Sequence, residues 1–286
     1  MSGAKTDTAP AVGGNKIGSL LLGLLAWLIG AMFFFPILWM VLNGFKTELD
    51  ANGDPILFFS PTTEQFSEVT GPTTGLGFGE AFTNSFIIVA VSTIIVMVMA
   101  IPAAYSLAIK PIAKAQDVLF FFISTKFLPV VAAILPVWII ADTLDLLGTR
   151  WVLIILYTAL NLPLAVWMLR SFFNEVPKEL IEASQMDGAS LWGQITSVIL
   201  PIVAPGLAAT ALLCVIFAWN EFFFAVQLNV FDGRTVPIWV LDKVSTRGNF
   251  IAELSAASTL AILPVVIAGW TAQKRMIRGL ALGAIK

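Results

Sequence analysis

From residue 17 to residue 42 the chain carries no charged side chain and is almost wholly apolar. About 20 such residues are needed to cross roughly 30 Å of hydrocarbon. A helix is the form that closes its own backbone hydrogen bonds there, because an open strand would leave amides unpaired in lipid. Five further segments have the same character: 81–109, 118–141, 151–169, a run inside 195–231, and 254–273. The predicted architecture is an all-α polytopic membrane protein with six transmembrane helices. Composition agrees, with 58% of residues hydrophobic, 12% charged and a mean hydropathy of +0.91, values that make the bilayer the solvent for most of the chain. The first run is too long for a leader core and ends without a small-x-small cleavage site, so it is read as an uncleaved span. Residues 1–16, rich in Gly, Ala and Thr, are read as a flexible tail that cannot bury a core, and 17–286 as a single transmembrane domain.

Several function classes fall away on composition. The sequence has no histidine, which removes imidazole bases, Ser-His-Asp triads and histidine metal ligands. Cys214 is the only cysteine, set among apolar neighbours, and is read as a buried spacer. A net charge of −2 gives no basic footprint for nucleic acid. No G-x-x-x-x-G-K-S/T phosphate loop occurs, so the chain does not hydrolyse ATP in the P-loop manner by itself.

Orientation follows from Lys and Arg, which accumulate in cytoplasmic connections. With the N-terminus inside, ten fall on one side: Lys5, Lys16, Lys110, Lys114, Arg170, Lys178, Lys274, Arg275, Arg278 and Lys286. The other side holds Lys46, Arg150, Arg234, Lys243 and Arg247, and Lys126 lies within a span. Both termini are therefore expected in the cytoplasm. The outside connection 46–80 exceeds the usual length of a bare loop and is expected to meet a partner.

The inside connection 170–200 reads as structure. Pro177 is a plausible first helical residue, 178–186 are mostly helix formers, Gly188 is a stop, and a second helical stretch runs from 191 until Pro201 breaks or kinks it. The expected result is a helix-turn-helix elbow at about 175–200.

Within the elbow the residues read Glu182-Ala183-Ser184-Gln185-Met186-Asp187-Gly188, followed eleven positions on by Ile199-Leu200-Pro201. This resembles the E-A-A, three residues, G, nine residues, I-x-L-P signature of ABC importer permeases, with Ser184 for the second Ala and a contracted ending. Phe217-Ala218-Trp219-Asn220-Glu221-Phe222-Phe223 is similar to the W-N-E/D run of sugar and polyol permeases of that superfamily. The tail Arg278-Gly279-Leu280-Ala281-Leu282-Gly283-Ala284-Ile285-Lys286 resembles the terminus of MalG-like subunits. Ser124-Thr125-Lys126 and the run from Leu162 to Leu169 are similar to the polyol (mannitol or sorbitol) branch.

The resemblance implies a MetI/MalG-like permease fold in the bacterial inner membrane. It also implies a second homologous permease subunit, two copies of a cytoplasmic ATPase that uses ATP and Mg, and an extracytoplasmic solute-binding protein. No cofactor is implied for this chain. The elbow would dock the ATPase through Glu182, Ala183, Ser184, Asp187, Gly188 and Pro201. Small residues at Ala183 and Ser184 would permit close approach, and Glu182 would offer a carboxylate to a basic partner. The bland alternative is an interfacial helix whose Glu182 pairs with Lys178 at i, i+4. A secondary transporter is the rival at the level of function; it would show repeated halves and charged or broken helices at the midplane, whereas no internal repeat is evident and only Glu221 and Lys126 are ionisable within the spans.

Glu221 is informative without any family. A carboxylate at mid-bilayer costs about 2.5–3.5 kcal/mol on insertion scales, so it faces the interior and has a partner. With Trp219 and Asn220 it either lines the solute pathway or fixes helix packing. Tyr157 and Asn161, at i, i+4 on the fourth segment, share one face and either line the pathway or pack, with Pro163 a kink beyond them. Lys126 is read as snorkelling to the membrane boundary.

Overall fold

A computed structural model of the chain describes residues 16–71, 77–110, 112–229, 233–243 and 250–283, with side chains from 18 to 273 of these. Among the described residues the regular structure is helical: α1 (Lys16–Gly44), α2 (Glu48–Asn52), α3 (Glu64–Thr70), α4 (Phe78–Ala108), α5 (Ala115–Ser124), α6 (Val130–Thr143), α7 (Arg150–Asn174), α8 (Lys178–Met186), α9 (Leu191–Gly193), α10 (Leu200–Ile202), α11 (Ala204–Trp219), α12 (Phe223–Leu228), α13 (Val236–Leu241) and α14 (Ile251–Gly283). The tail and the last three residues, including part of the resemblance carried by 278–286, lie outside the described side chains.

α1, α4, α7 and α14 are each long and apolar enough to cross a membrane. Two further spans are broken. The pair 115–127 and 130–143 is bent by 94°, and the pair 191–202 and 204–219 by 84°; counting each pair once gives six. The expectation of one continuous helix over 118–141 is therefore corrected. The cause is local: a residue preceding proline is driven out of the α region, and Leu128, before Pro129, is extended at φ −64°, ψ 125°. In the second pair Pro201 and Pro205 each sit in the first turn of a short helix start, where a missing N–H costs nothing, and the chain swings at Val203 between them. Ahead of that swing the backbone widens into a π turn over Gln194–Ile199, with the Leu200 N–H donating to the Ile195 carbonyl. By contrast α7 runs unbroken through Pro163.

α4 and α7 form the centre. Their buried positions recur every fourth residue, Ile88, Ser92, Val96, Ala100 and Ala104 on one and Leu153, Tyr157, Asn161, Ala165, Leu169 and Phe173 on the other, the i±4 ridges by which helices interlock. α11 packs across both, α14 packs on α11, and α1 packs on α14. The α1–α14 crossing is close because a Cβ on Gly44 would lie 3.1 Å from the Ala256 backbone. Gly206 at the start of α11 lies even nearer to α7, its would-be Cβ 2.3 Å from Phe172 Cγ.

The described parts of the connections 46–80 and 232–253 carry helices of their own. In 46–80, α2 and α3 dock on α14. The Glu48 carboxylate accepts from the Glu253 and Ala252 amides at 2.8 and 3.2 Å, capping the amino end of α14, which carries the partial positive charge of its unpaired N–H groups. Lys46 is 1% exposed, with its ammonium 4.2 Å from the Trp39 ring centroid and 5.2 Å from that of Phe59. In 232–253, α13 packs on α4 and α14. It is held by the Val236 N–H donating to Ser85 Oγ at 2.8 Å and by Asn84 Nδ2 donating to the Arg234 carbonyl at 3.1 Å.

Candidate functional site

Two constellations were predicted, and the structure treats them differently. The elbow is α8 with the turn that follows. Pro177 stands one position before the helix, extended at ψ 132°, with Lys178 first. At the far end the Ala189 N–H donates to the Ser184 carbonyl and the Gly188 N–H to the Gln185 carbonyl, both at 3.0 Å. This is the Schellman closure, with Gly188 at φ +75° as its left-handed residue. A Cβ on Gly188 would meet nothing within 4 Å, so glycine is needed there for its backbone angle and not for space.

α8 has one inward edge, Ile181 and Ser184, and one outward surface. Ser184 is 8% exposed and its hydroxyl donates to the Ile181 carbonyl at 2.7 Å, so it faces the chain's own body instead of opening room for a partner. Glu182, Ala183, Met186, Asp187 and Gly188 face out, Met186 at 88% exposure. The ion pairs among the described residues are Arg234–Asp242 and Lys243–Glu253; the Glu182–Lys178 pair of the bland reading is not formed. Behind the elbow, Tyr105 of α4 donates to Gln194 Oε1 and Gln194 Nε2 to the Ala189 carbonyl, each at 3.1 Å, tying the turn to the bundle. Nine residues counted from Gly188 lead to Val198, so Leu200 and Pro201 keep the signature's own spacing and its ending is substituted, not contracted.

The second constellation is split by a helix break. α11 stops at Trp219, and α12 starts at Phe223. In the gap the Glu221 carboxylate turns inward: Oε1 accepts the Phe224 N–H at 2.8 Å, and Oε2 accepts the Ala225 N–H at 3.1 Å and the Tyr157 hydroxyl at 2.8 Å. It therefore caps α12 and bolts it to α7. Tyr157 is 1% exposed and Asn161 4%; Asn161 Nδ2 lies 3.5 Å from the Cys214 carbonyl, and Cys214 is buried as expected. Of the two readings left open for Glu221, Tyr157 and Asn161, these contacts are those of packing.

Asn220 does the opposite. Exposed, with Nδ2 donating to the Ile216 carbonyl at 2.8 Å, it borders a cavity of about 650 Å³ between α1, the end of α11, α13 and α14. Trp219 lines the same cavity with its ring, while its indole N–H is taken by the Ala261 carbonyl at 3.0 Å. Met40, Pro237 and Ser258 are walls of this cavity that sequence reasoning missed. Thr235-Val236-Pro237, a β-region hydroxyl residue followed by proline in a first turn, is the signal that could have disclosed α13.

Comparison with known proteins agrees with this geometry. Residues 71–280 match the family described as "Binding-protein-dependent transport system inner membrane component". The chain is 35% identical over 268 residues to a probable ABC transporter permease protein of Sinorhizobium fredii, covering 93% of this chain and 95% of that one. It is 31% identical over 263 residues to the trehalose/maltose transport system permease protein MalG of Thermococcus litoralis, covering 91% and 94%. It is also 31% identical over 258 residues to the sulfoquinovosyl glycerol transport system permease protein of Agrobacterium fabrum, covering 88% of each. Among solved structures, a bacterial ABC transporter for import of the acidic polysaccharide alginate has a chain of the same fold, with a TM-score of 0.73 at 20% identity over 93% of this chain and 99% of that one. A helical membrane bundle with four to six candidate spans, bearing an elbow with the ABC permease signature and matched over residues 71–280, belongs to the family of binding-protein-dependent transport system inner membrane components: it is a transport subunit and not an enzyme.

Proposed function

We propose that this chain is the permease subunit of an ATP-driven importer for a sugar, a polyol or a sugar derivative, and forms half of its translocation pathway. A second, related permease would complete the pathway, two copies of an ATPase would bind below, and a solute-binding protein would deliver solute from the extracytoplasmic side onto α2 and α3. The observation that carries the reading is the elbow: α8 is closed by a left-handed Gly188 and presents Glu182, Ala183, Met186 and Asp187 outward on a turn braced by Gln194. That is a short rigid lever with an exposed acidic and apolar face, suited to sit in a groove of a basic partner. Asn220 and the Trp219 ring, on the cavity, are the groups offered to hydroxylated solute. The carbohydrate class is supported by relatives named for trehalose/maltose and sulfoquinovosyl glycerol; the polyol branch is supported by the runs at Ser124-Thr125-Lys126 and Leu162 to Leu169. Nothing in the family or the relatives favours a transporter driven by an ion gradient.

Both termini and the elbow are assigned to the cytoplasm on the Lys/Arg bias. Single cysteines at Ser67 and Ser190, both exposed, in a Cys214→Ala background test this: impermeant reagent on intact cells is expected to label 67 and not 190, and the reverse overturns the orientation. Co-purification of an ATPase that is lost or uncoupled in Glu182→Ala, with the permease still inserted, tests the lever. Uptake by this chain alone, without ATP, would sink the reading.

A further inference from the structure

The elbow meets the rest of the chain by two routes that differ in kind. Along the backbone it runs on into α11, but that route passes through the π turn at Gln194–Ile199 and an 84° bend at Val203. A widened turn followed by a sharp bend does not pass on a push as a continuous helix does. By packing, the elbow lies against the centre of the bundle: Ile181, Ile195 and Ile199 are buried in one core with Tyr105 and Leu107 of α4 and Phe173 of α7. Apolar burial has no direction of its own, so these contacts keep α8 on the bundle without holding it against sliding.

One polar connection does hold it. Tyr105, near the end of α4, is 3% exposed and Gln194 is 5% exposed. The Tyr105 hydroxyl donates to Gln194 Oε1, and Gln194 Nε2 donates to the Ala189 carbonyl just past the left-handed Gly188, each at 3.1 Å. A carboxamide presents an acceptor and a donor on one planar group, so Gln194 holds a hydroxyl of α4 and a carbonyl of the elbow's turn at once. Among the described residues no other hydrogen bond runs from 178–199 to α4 or α7. The turn itself is complete without this connection. Gly188 and the Ala189 and Gly188 amides close α8, and Ser190 Oγ accepts the Gly193 N–H at 3.2 Å to start the next helix.

We propose that Gln194 is a positioning residue for the ATP-driven stroke: it clasps the elbow to α4 through Tyr105, so that a displacement of α8 moves the α4–α7 centre instead of being absorbed in the π turn. This rests on the reading of α8 as the lever that meets the ATPase.

The test uses the assembled complex in nanodiscs, with amide hydrogen exchange followed with and without Mg and a non-hydrolysable ATP analogue. In the parent, nucleotide is expected to change exchange in 178–190 and also in the last turns of α4, 103–110. In Tyr105→Phe and in Gln194→Met the elbow should still respond, while the response of α4 relative to it falls about fivefold, the factor carried by one net hydrogen bond. Thermal midpoints should fall in both, because each change leaves a buried polar partner unpaired. The double variant Tyr105→Phe/Gln194→Met separates a joint from a packing contact. With both side chains apolar, and with Ala189 part-exposed so that its carbonyl can take water, the midpoint should recover toward the parent's while the α4 response stays lost. An α4 response that is absent from the parent, unchanged in the single variants, or restored along with the midpoint in the double variant overturns the proposal. Failure of all three variants to assemble overturns it too, since the pair would then be a folding contact. An ATPase that does not co-purify with the parent sinks the importer reading instead, before any variant is compared, so the two failures are distinguishable.

Discussion

Replacing Tyr157 by Phe removes one hydroxyl and almost no volume from a site that is 1% exposed. The hydroxyl donates to a carboxylate at 2.8 Å, and hydrogen bonds to charged groups contribute about 1.5–3 kcal/mol. Glu221 Oε2 keeps the Ala225 amide, so a loss near the lower end, about 1.5 kcal/mol, is expected. Glu221→Gln should cost more. Three donors converge on two carboxylate oxygens, whereas a carboxamide has one acceptor oxygen and an NH₂ group. The Tyr157 hydroxyl can rotate to accept from that NH₂ group, but a backbone N–H cannot reverse, so one amide at the start of α12 loses its partner for about 1–3 kcal/mol. Because the two changes share one oxygen, their effects should fall short of additivity by about 1 kcal/mol. Equilibrium unfolding of the reconstituted permease reads these values, with uptake and ATP hydrolysis per assembled complex measured in parallel. Single variants within about 0.5 kcal/mol of the parent, and strictly additive in combination, would refute the claim that this carboxylate joins α12 to α7.

Gly188→Val should uncouple ATP hydrolysis from uptake while Gly188→Asn largely spares it, since the left-handed angle costs a β-branched residue about 1–2 kcal/mol and Asn less; the ratio of ATP hydrolysed to solute moved checks this. Gly206→Ala should lower stability by about 1–3 kcal/mol through its clash with the Phe172 ring, and Phe172→Leu should restore part of it, as thermal midpoints will report. On α3, partial desolvation and the neighbouring carboxylates of Glu253, Glu64 and Glu48 hold Glu68 above its ordinary value of 4.5, with Lys243 opposing. A carboxyl whose folded pKa is raised favours the folded form when protonated, and that advantage is lost as pH rises through the folded pKa. Glu68→Gln should therefore stabilise slightly at neutral pH and make no difference near pH 4, and a gain that grew on acidification would contradict it.

The spans were legible because an uncharged apolar run has few other destinations, and Gly188 because a glycine after a run of helix formers marks a stop. The break at Leu128-Pro129 was present in the sequence too, but the surrounding apolar run outweighed one proline, and Pro36, Pro102 and Pro264 lie inside unbroken helices. What no local pattern discloses is pairing at a distance. Glu221 and Tyr157 are 64 positions apart, and Glu48 caps α14 across 205. In the sequence Glu221 was recognisable as a carboxylate in need of partners, yet whether those were solute or amides depended on a helix break that apolar content hides. Nor does the sequence disclose that Lys46, counted toward a connection, is covered there by the rings of Trp39 and Phe59.

The widened turn at Gln194–Ile199 has a consequence for chain length. A π turn holds one residue more than an α turn in the same rise, so it works as a spacer between the elbow and α11. Deleting Ser197 would allow the segment to rewind as an ordinary helix with the elbow kept in phase, whereas deleting one residue from the regular part of α11 would rotate everything before it by about 100° about that axis. The acidic and apolar face of α8 would then point along the bundle surface while each helix stayed intact. Which way this chain presents its lever is thus a matter of counting residues, independent of the strength of any single contact.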